Sequence, residues 1–172
     1  MHTDRLLKLA GLLEADAKNE KGVKFDLGWW AAPSDEADTG LVRKDTFASI
    51  EEPIPVNCNT SACAMGLAVI SGAFEEFGLY AHYIESKDYD GRTPTYTMFP
   101  AMPGSRIGFD AAKELFGIIS DDANYLFDPE HYSVTKGGLA ELDVAKRIRD
   151  FTEGTIDYNF YPQQDDEDDD ED

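Results

Sequence analysis

Cys58 and Cys63 bracket the stretch CNTSACAMG, with four residues between them. Three chemistries could use such a pair. A structural zinc site needs four ligands, commonly supplied as two tight pairs. This chain offers one cysteine pair and the scattered histidines His2, His82 and His131, with no HxxxH-type spacing, so no metal is expected. A reactive thiol is the second possibility. Cys63 falls in the first turn of an expected helix, where backbone N–H groups and the dipole favour a thiolate. A nucleophile also needs a base within reach, and His82 and His131 are the candidates. The third reading is packing. Cys63 shares an apolar face with Leu67 and Ile70, where a cysteine acts as a small hydrophobe. Packing is the preferred reading, with Thr60 and Ser61 as helix caps. The set Cys63, His82, His131 is the alternative catalytic centre.

Other catalytic and ligand-binding signatures do not emerge. Asp88-Tyr89-Asp90-Gly91 resembles the middle of a calcium loop. With Gly91 at the sixth loop position, Thr97 falls where a bidentate glutamate is required. A hairpin turn fits better. No glycine-rich phosphate loop, HExxH or GxSxG pattern occurs, and no cofactor is implied. Carboxylates are abundant, but no pair stands out as an acid–base couple.

The elements that position these residues follow from apolar spacing. Leu6, Leu9, Ala10, Leu13 and Ala17 form one stripe and predict a helix over about 4–19, with Thr3 as its cap. Phe25-Asp26-Leu27-Gly28-Trp29-Trp30 reads as an aromatic plug against that helix. Residues 31–57 read as a long connection, part of which packs through Leu41, Val42, Phe47 and Ile50. A second helix is expected over 60–77, ended by Gly78. Leu79–Glu85 and Thr95–Phe99 predict a β-hairpin. Three further helices are expected: 110–116, one capped by Ser120 and ended before Asp128-Pro129, and 139–152 with Lys146, Arg147 and Arg149 facing outward. The fold class is therefore α+β and mainly α: about five helices around a central helix 60–77, with a small antiparallel hairpin at about 79–99. Residues 1–154 read as one globular domain and 155–172 as an acidic tail.

Charge is the outstanding bulk property. The chain has 172 residues and a formal charge of −20. Eight acids close it: Asp165, Asp166, Glu167, Asp168, Asp169, Asp170, Glu171 and Asp172. Without them the charge is still −12. Such a surface repels phosphates and anionic membranes and attracts basic proteins. Direct nucleic-acid binding is not expected, and no apolar run is long enough for a membrane span. The amphipathic N-terminus lacks the pattern of a secretory signal, so a cytoplasmic location with reduced thiols is expected. Ahead of the acid run, Ile156, Tyr158 and Phe160 alternate with Asp157 and Asn159. This pattern suits an edge strand or a peptide that docks on a partner.

Several segments resemble a group of small phage and bacterial proteins that carries no known activity. The matching pieces are DRLLKLAGLLE, FDLGWW, CNTSACAMGLA, AAKELFGIISDDANYLFDPEHY and VAKRIRDF, in that order over about half of the chain. Their centre is a Cys-x-Thr-x-x-Cys-Ala-x-Gly helix start. Members of the group often carry Gly where Asn59 stands. The resemblance implies a phage or prophage-like origin, hence a bacterial host cytoplasm, and transfers no catalytic role.

Together these observations predict a non-enzymatic acidic interaction protein. It would dock on a basic protein through Asp165–Asp172, Tyr158 and Phe160, as a DNA-mimic-like inhibitor or anti-defence factor. The alternatives are a cysteine enzyme centred on Cys63 and a virion-associated or assembly protein.

Overall fold

The computed structural model of the chain describes residues 1–19, 21–33, 60–87, 94–104 and 106–155. Helix α1 spans Thr3–Asp16 and buries Leu6, Leu9, Ala10 and Leu13, the stripe that its sequence shows. Its cap position is His2, with no side-chain cap bond, so Thr3 is already the first helical residue. The His2 amide donates to the Phe116 carbonyl at 2.6 Å, which fixes the chain's start on a neighbouring helix end.

Two small sheets follow. Strands β1 (Lys24–Phe25), β2 (Ala31–Pro33) and β3 (Thr60–Ala62) form one, in the order β1-β3-β2. The β1–β3 pair is parallel, with Phe25 opposite Ala62, and β2–β3 is antiparallel, with Ala31 opposite Ala62. The other sheet is antiparallel: β4 (Tyr80–Lys87), β5 (Pro94–Met102) and β6 (Arg106–Ile107). Its hairpin runs in register from Tyr80↔Ala101 to Lys87↔Pro94. The expected hairpin is present and continues into β6. The calcium-like residues 88–91 lie outside the described residues.

The expected second helix is much shorter than 60–77. Thr60–Ala62 pair as a strand and cannot also be helical. Helix α2 covers only Ala64–Ile70. At its end the Ser71 hydroxyl donates to the Ala68 carbonyl and accepts the Ala73 amide, a local alternative to the helical ladder. Gly72 then takes φ +68°, and the chain re-enters a helical turn only as a 3₁₀ segment at Glu75–Phe77. Even so, α2 is central, with Ala64, Met65, Gly66, Leu67 and Ala68 all buried. It packs on α1, β2, β3, β4 and β5.

Helices α3 (Phe109–Phe116), α4 (Ser120–Phe127) and α5 (Gly137–Glu153) complete five α-helices among the described residues. The class is α+β and mainly α. Ile119, not Ser120, occupies the cap position of α4, because Ser120 is already in the helix. One apolar cluster joins Leu6, Leu9 and Leu13 to Met65, Leu115, Phe116, Leu126 and Ile148. Each such fully buried side chain contributes about 1.5–3 kcal/mol. A smaller cluster of Ala31, Ala62 and Met98 joins the two sheets. Among the described residues no helix is long and apolar enough to cross a membrane.

The cations of α5 do not all face outward. Lys146 is exposed and pairs with Asp150. Arg149 grips Glu14 of α1 through two bonds, at 2.6 and 2.9 Å. Arg147 is half-buried, donating to the Tyr125 carbonyl at 2.9 Å and the His131 carbonyl at 2.7 Å. Its guanidinium stacks 3.8 Å from the Tyr132 ring centroid, and Tyr132 in turn donates to the Leu126 carbonyl at 2.5 Å. One cation thus holds the loop after α4 against α5. Replacing it by Arg147→Met keeps much of the apolar stem and strands two carbonyls. Urea unfolding should show a loss of about 2–3 kcal/mol, whereas Lys146→Met, at an exposed side chain, should leave the midpoint nearly unchanged.

Candidate functional site

The most specific sequence motif and the aromatic plug come together at one place. The Cys63 amide donates to the Trp29 carbonyl at 2.7 Å, and its thiol reaches the Trp30 carbonyl at 3.8 Å. Cys63 has extended backbone angles and is itself the cap of α2, its sulfur accepting the Gly66 amide at 3.4 Å. Thr60 and Ser61 therefore do not cap this helix. Gly66 is required by the same contact. A Cβ there would sit 1.2 Å from the Trp30 carbonyl oxygen. Cys-Ala-x-Gly is thus a cap and a clearance for a crossing strand.

The plug itself is split. Phe25 and Leu27 are buried in the main core. Trp29 and Trp30 are half-buried. Trp30 packs edge-on against Phe109 at 5.4 Å between centroids and against Phe99 at 6.3 Å, joining the second sheet to α3. Between them Asp26 is buried, accepting the Gly28 amide at 3.0 Å and pairing with Lys136 at 2.9 Å.

This arrangement determines the chemistry of the thiol. Cys63 is 4% exposed. Burial, against the pull of the surrounding amides, pushes its pKa up to about 11. The nearby Asp26 carboxylate acts in the same direction. At neutral pH the group is a neutral thiol. His82 lies exposed on β4, and His131 lies in the 3₁₀ turn after α4 with its ring 6.5 Å from that of Tyr125. Neither imidazole is among the bonding partners given by the Cys63 environment, which are backbone groups of Trp29, Trp30 and Gly66. The bonds of Cys63 thus run to backbone groups and to neither imidazole. Cys58, Tyr158, Phe160 and Asp165–Asp172 lie outside the described residues. No group of three or more His, Cys, Asp or Glu side chains suited to a metal occurs among the described residues.

A concavity is also present among the described residues. The end of α2, the turn after it and β4 enclose an open groove of about 500 Å³, lined by Val69, Ile70, Ser71, Glu75, Leu79 and Tyr83. Its volume is in the range of small-ligand sites. The Ser71 hydroxyl is committed to backbone bonds, and burial raises the Tyr83 phenol's pKa, keeping it a neutral hydrogen-bonding group. Glu75 is the one carboxylate among the described lining residues and is exposed. The groove offers apolar contact and little acid–base chemistry.

Comparison with family models, with curated proteins and with solved structures gave no match.

A thiol-labelling measurement checks the site. In a Cys58→Ser variant, the remaining thiol of Cys63 should resist an aromatic disulfide reagent at mildly alkaline pH. It should react at the free-thiol rate only in denaturant. Rapid labelling of the native variant would show an accessible thiolate.

Proposed function

We propose that the chain is an acidic docking protein that presents carboxylates to a basic surface of a partner protein. The observation that carries this reading is where the charge lies. The chain holds 35 acids and 15 bases, a formal −20. Eight of those acids are consecutive, Asp165–Asp172, with no base among them. The densest charge of the sequence is thus in this run.

A run of acids has a physical match. Drawn out along a partner, adjacent residues space their charges about 3.3–3.6 Å apart. One strand of DNA spaces its phosphates about 3.4 Å apart along the axis. A protein surface that binds nucleic acid would meet a similar charge density in this tail. Ile156, Tyr158 and Phe160 supply apolar contact beside it, which a phosphate strand lacks. The resemblance of several segments to phage and bacterial proteins extends the reading to a factor that occupies a host nucleic-acid-binding protein. The alternative centred on Cys63 is not favoured by a buried, neutral thiol.

The test uses the full chain beside a variant with every acid of 165–172 changed to its amide. Both are used to capture proteins from bacterial lysate at salt of about 0.05 M and about 0.5 M, a range over which screening shortens severalfold. The full chain should retain proteins of high isoelectric point, which are released by the higher salt and by added duplex DNA. The amide variant should lose them. Equal capture of the same proteins by both forms would overturn the assignment of docking to the tail.

A further inference from the structure

The largest helix-to-helix interface, α1 against α5, contains two carboxyl groups. Glu141 lies on the buried stripe of α5 with Val144, Ala145 and Ile148, and is 2% exposed. Asp16, in the last turn of α1, stands close enough to act on its ionisation, and Glu141 acts on Asp16 in turn. Asp16 is held from its other side: Oδ2 accepts the Val23 amide at 3.0 Å. Gly22 closes over it so tightly that a Cβ there would stand 2.4 Å from Oδ1. Glu141 Oε1 is buried with no hydrogen-bond partner among the described residues.

Two neighbouring carboxyl groups can hydrogen-bond only with a proton between them. Two like charges this close destabilise each other where one of them, Glu141, is buried, so that group stays neutral. We propose that Asp16 and Glu141 share a proton that locks α1 onto α5, so that the packed body loosens as the solution turns from acidic to mildly alkaline.

Among the described residues no cation acts on Glu141 to compensate. Glu14 of α1 is occupied by Arg149 of α5. Lys18, Lys21 and Lys24, on the end of α1, the turn after it and β1, have exposed side chains. Lys136, at the start of α5, pairs with Asp26. Arg147 faces the carbonyls at the end of α4. Burial lifts Glu141 to about 8, and the Asp16 charge adds to it. Burial raises Asp16 as well.

The direction of the pH dependence follows. The unfolded chain gives up the Glu141 proton near the ordinary 4.5, while the folded chain holds it to about 8. Stability from the shared proton is complete below the lower value, declines through the window, and is gone above the upper one. Each pH unit within the window should raise the unfolding constant about tenfold for one proton.

Urea unfolding of the full chain between about pH 5 and pH 8 tests this, with wild type beside Glu141→Gln. Other titrating groups, including the histidines, are common to both proteins and cancel in the comparison. The wild type should show a slope steeper by close to tenfold per unit, and the amide variant should be the more stable protein at the alkaline end. Identical slopes would overturn the proposal. Should the variant fail to fold, carbon-13 NMR of the wild-type Glu141 carboxyl decides. A midpoint near 8 agrees with a held proton, and one in the usual glutamate range contradicts it.

Discussion

The approach of the Trp30 carbonyl to the first turn of α2 is the constraint on which the arrangement depends. A backbone oxygen can come that near a helix only where the side chain is a hydrogen, and Gly66 supplies it. Cys63 completes the junction by taking the Trp29 carbonyl on its amide, the Trp30 carbonyl on its thiol and the Gly66 amide on its sulfur. With this crossing set, β1, β3 and β2 align, and Trp30 reaches Phe99 and Phe109. The small-residue face of α2 can then bury completely between α1 and the two sheets. The residues that look most chemical in the chain serve this junction, and the sulfur is buried because the strand lies over it.

Long periodic elements were legible in the sequence, and short ones were not. α1 and α5 show their buried stripes over more than three turns, and the β4–β5 hairpin shows its strand residues on both sides of a turn signal. β1 and β3 have two and three residues, too few to show a period, and they pair across more than thirty positions of chain. The same shortness made Thr60 and Ser61 read as caps. α2 reads too long because Phe74 and Phe77 continue its apolar spacing past Ser71 and Gly72, where the backbone turns away. The carboxyl pair left a signal that spacing can detect. Glu141 precedes Val144, Ala145 and Ile148 by three, four and seven positions, and Asp16 follows Leu9 and Leu13 by seven and three. An acid on each of two apolar stripes marks a buried group in need of a partner.

The packed body uses its cations internally: Arg5 donates to the Leu115 carbonyl at the end of α3, Arg147 to the end of α4, and Arg149 to Glu14. The run of acids at 165–172 has no cation within it to offset its self-repulsion.

The crossing at Gly66 is tested most directly by a pair of glycine-to-alanine substitutions compared in equilibrium unfolding. Gly11, inside α1, has open space where a Cβ would stand, so Gly11→Ala should stabilise by about 0.5–1 kcal/mol through helix propensity. Gly66→Ala should destabilise by about 3 kcal/mol or more, because the new methyl must displace the Trp30 backbone. A Gly66→Ala protein as stable as the wild type would contradict the account, since the strand would then not lie against the helix.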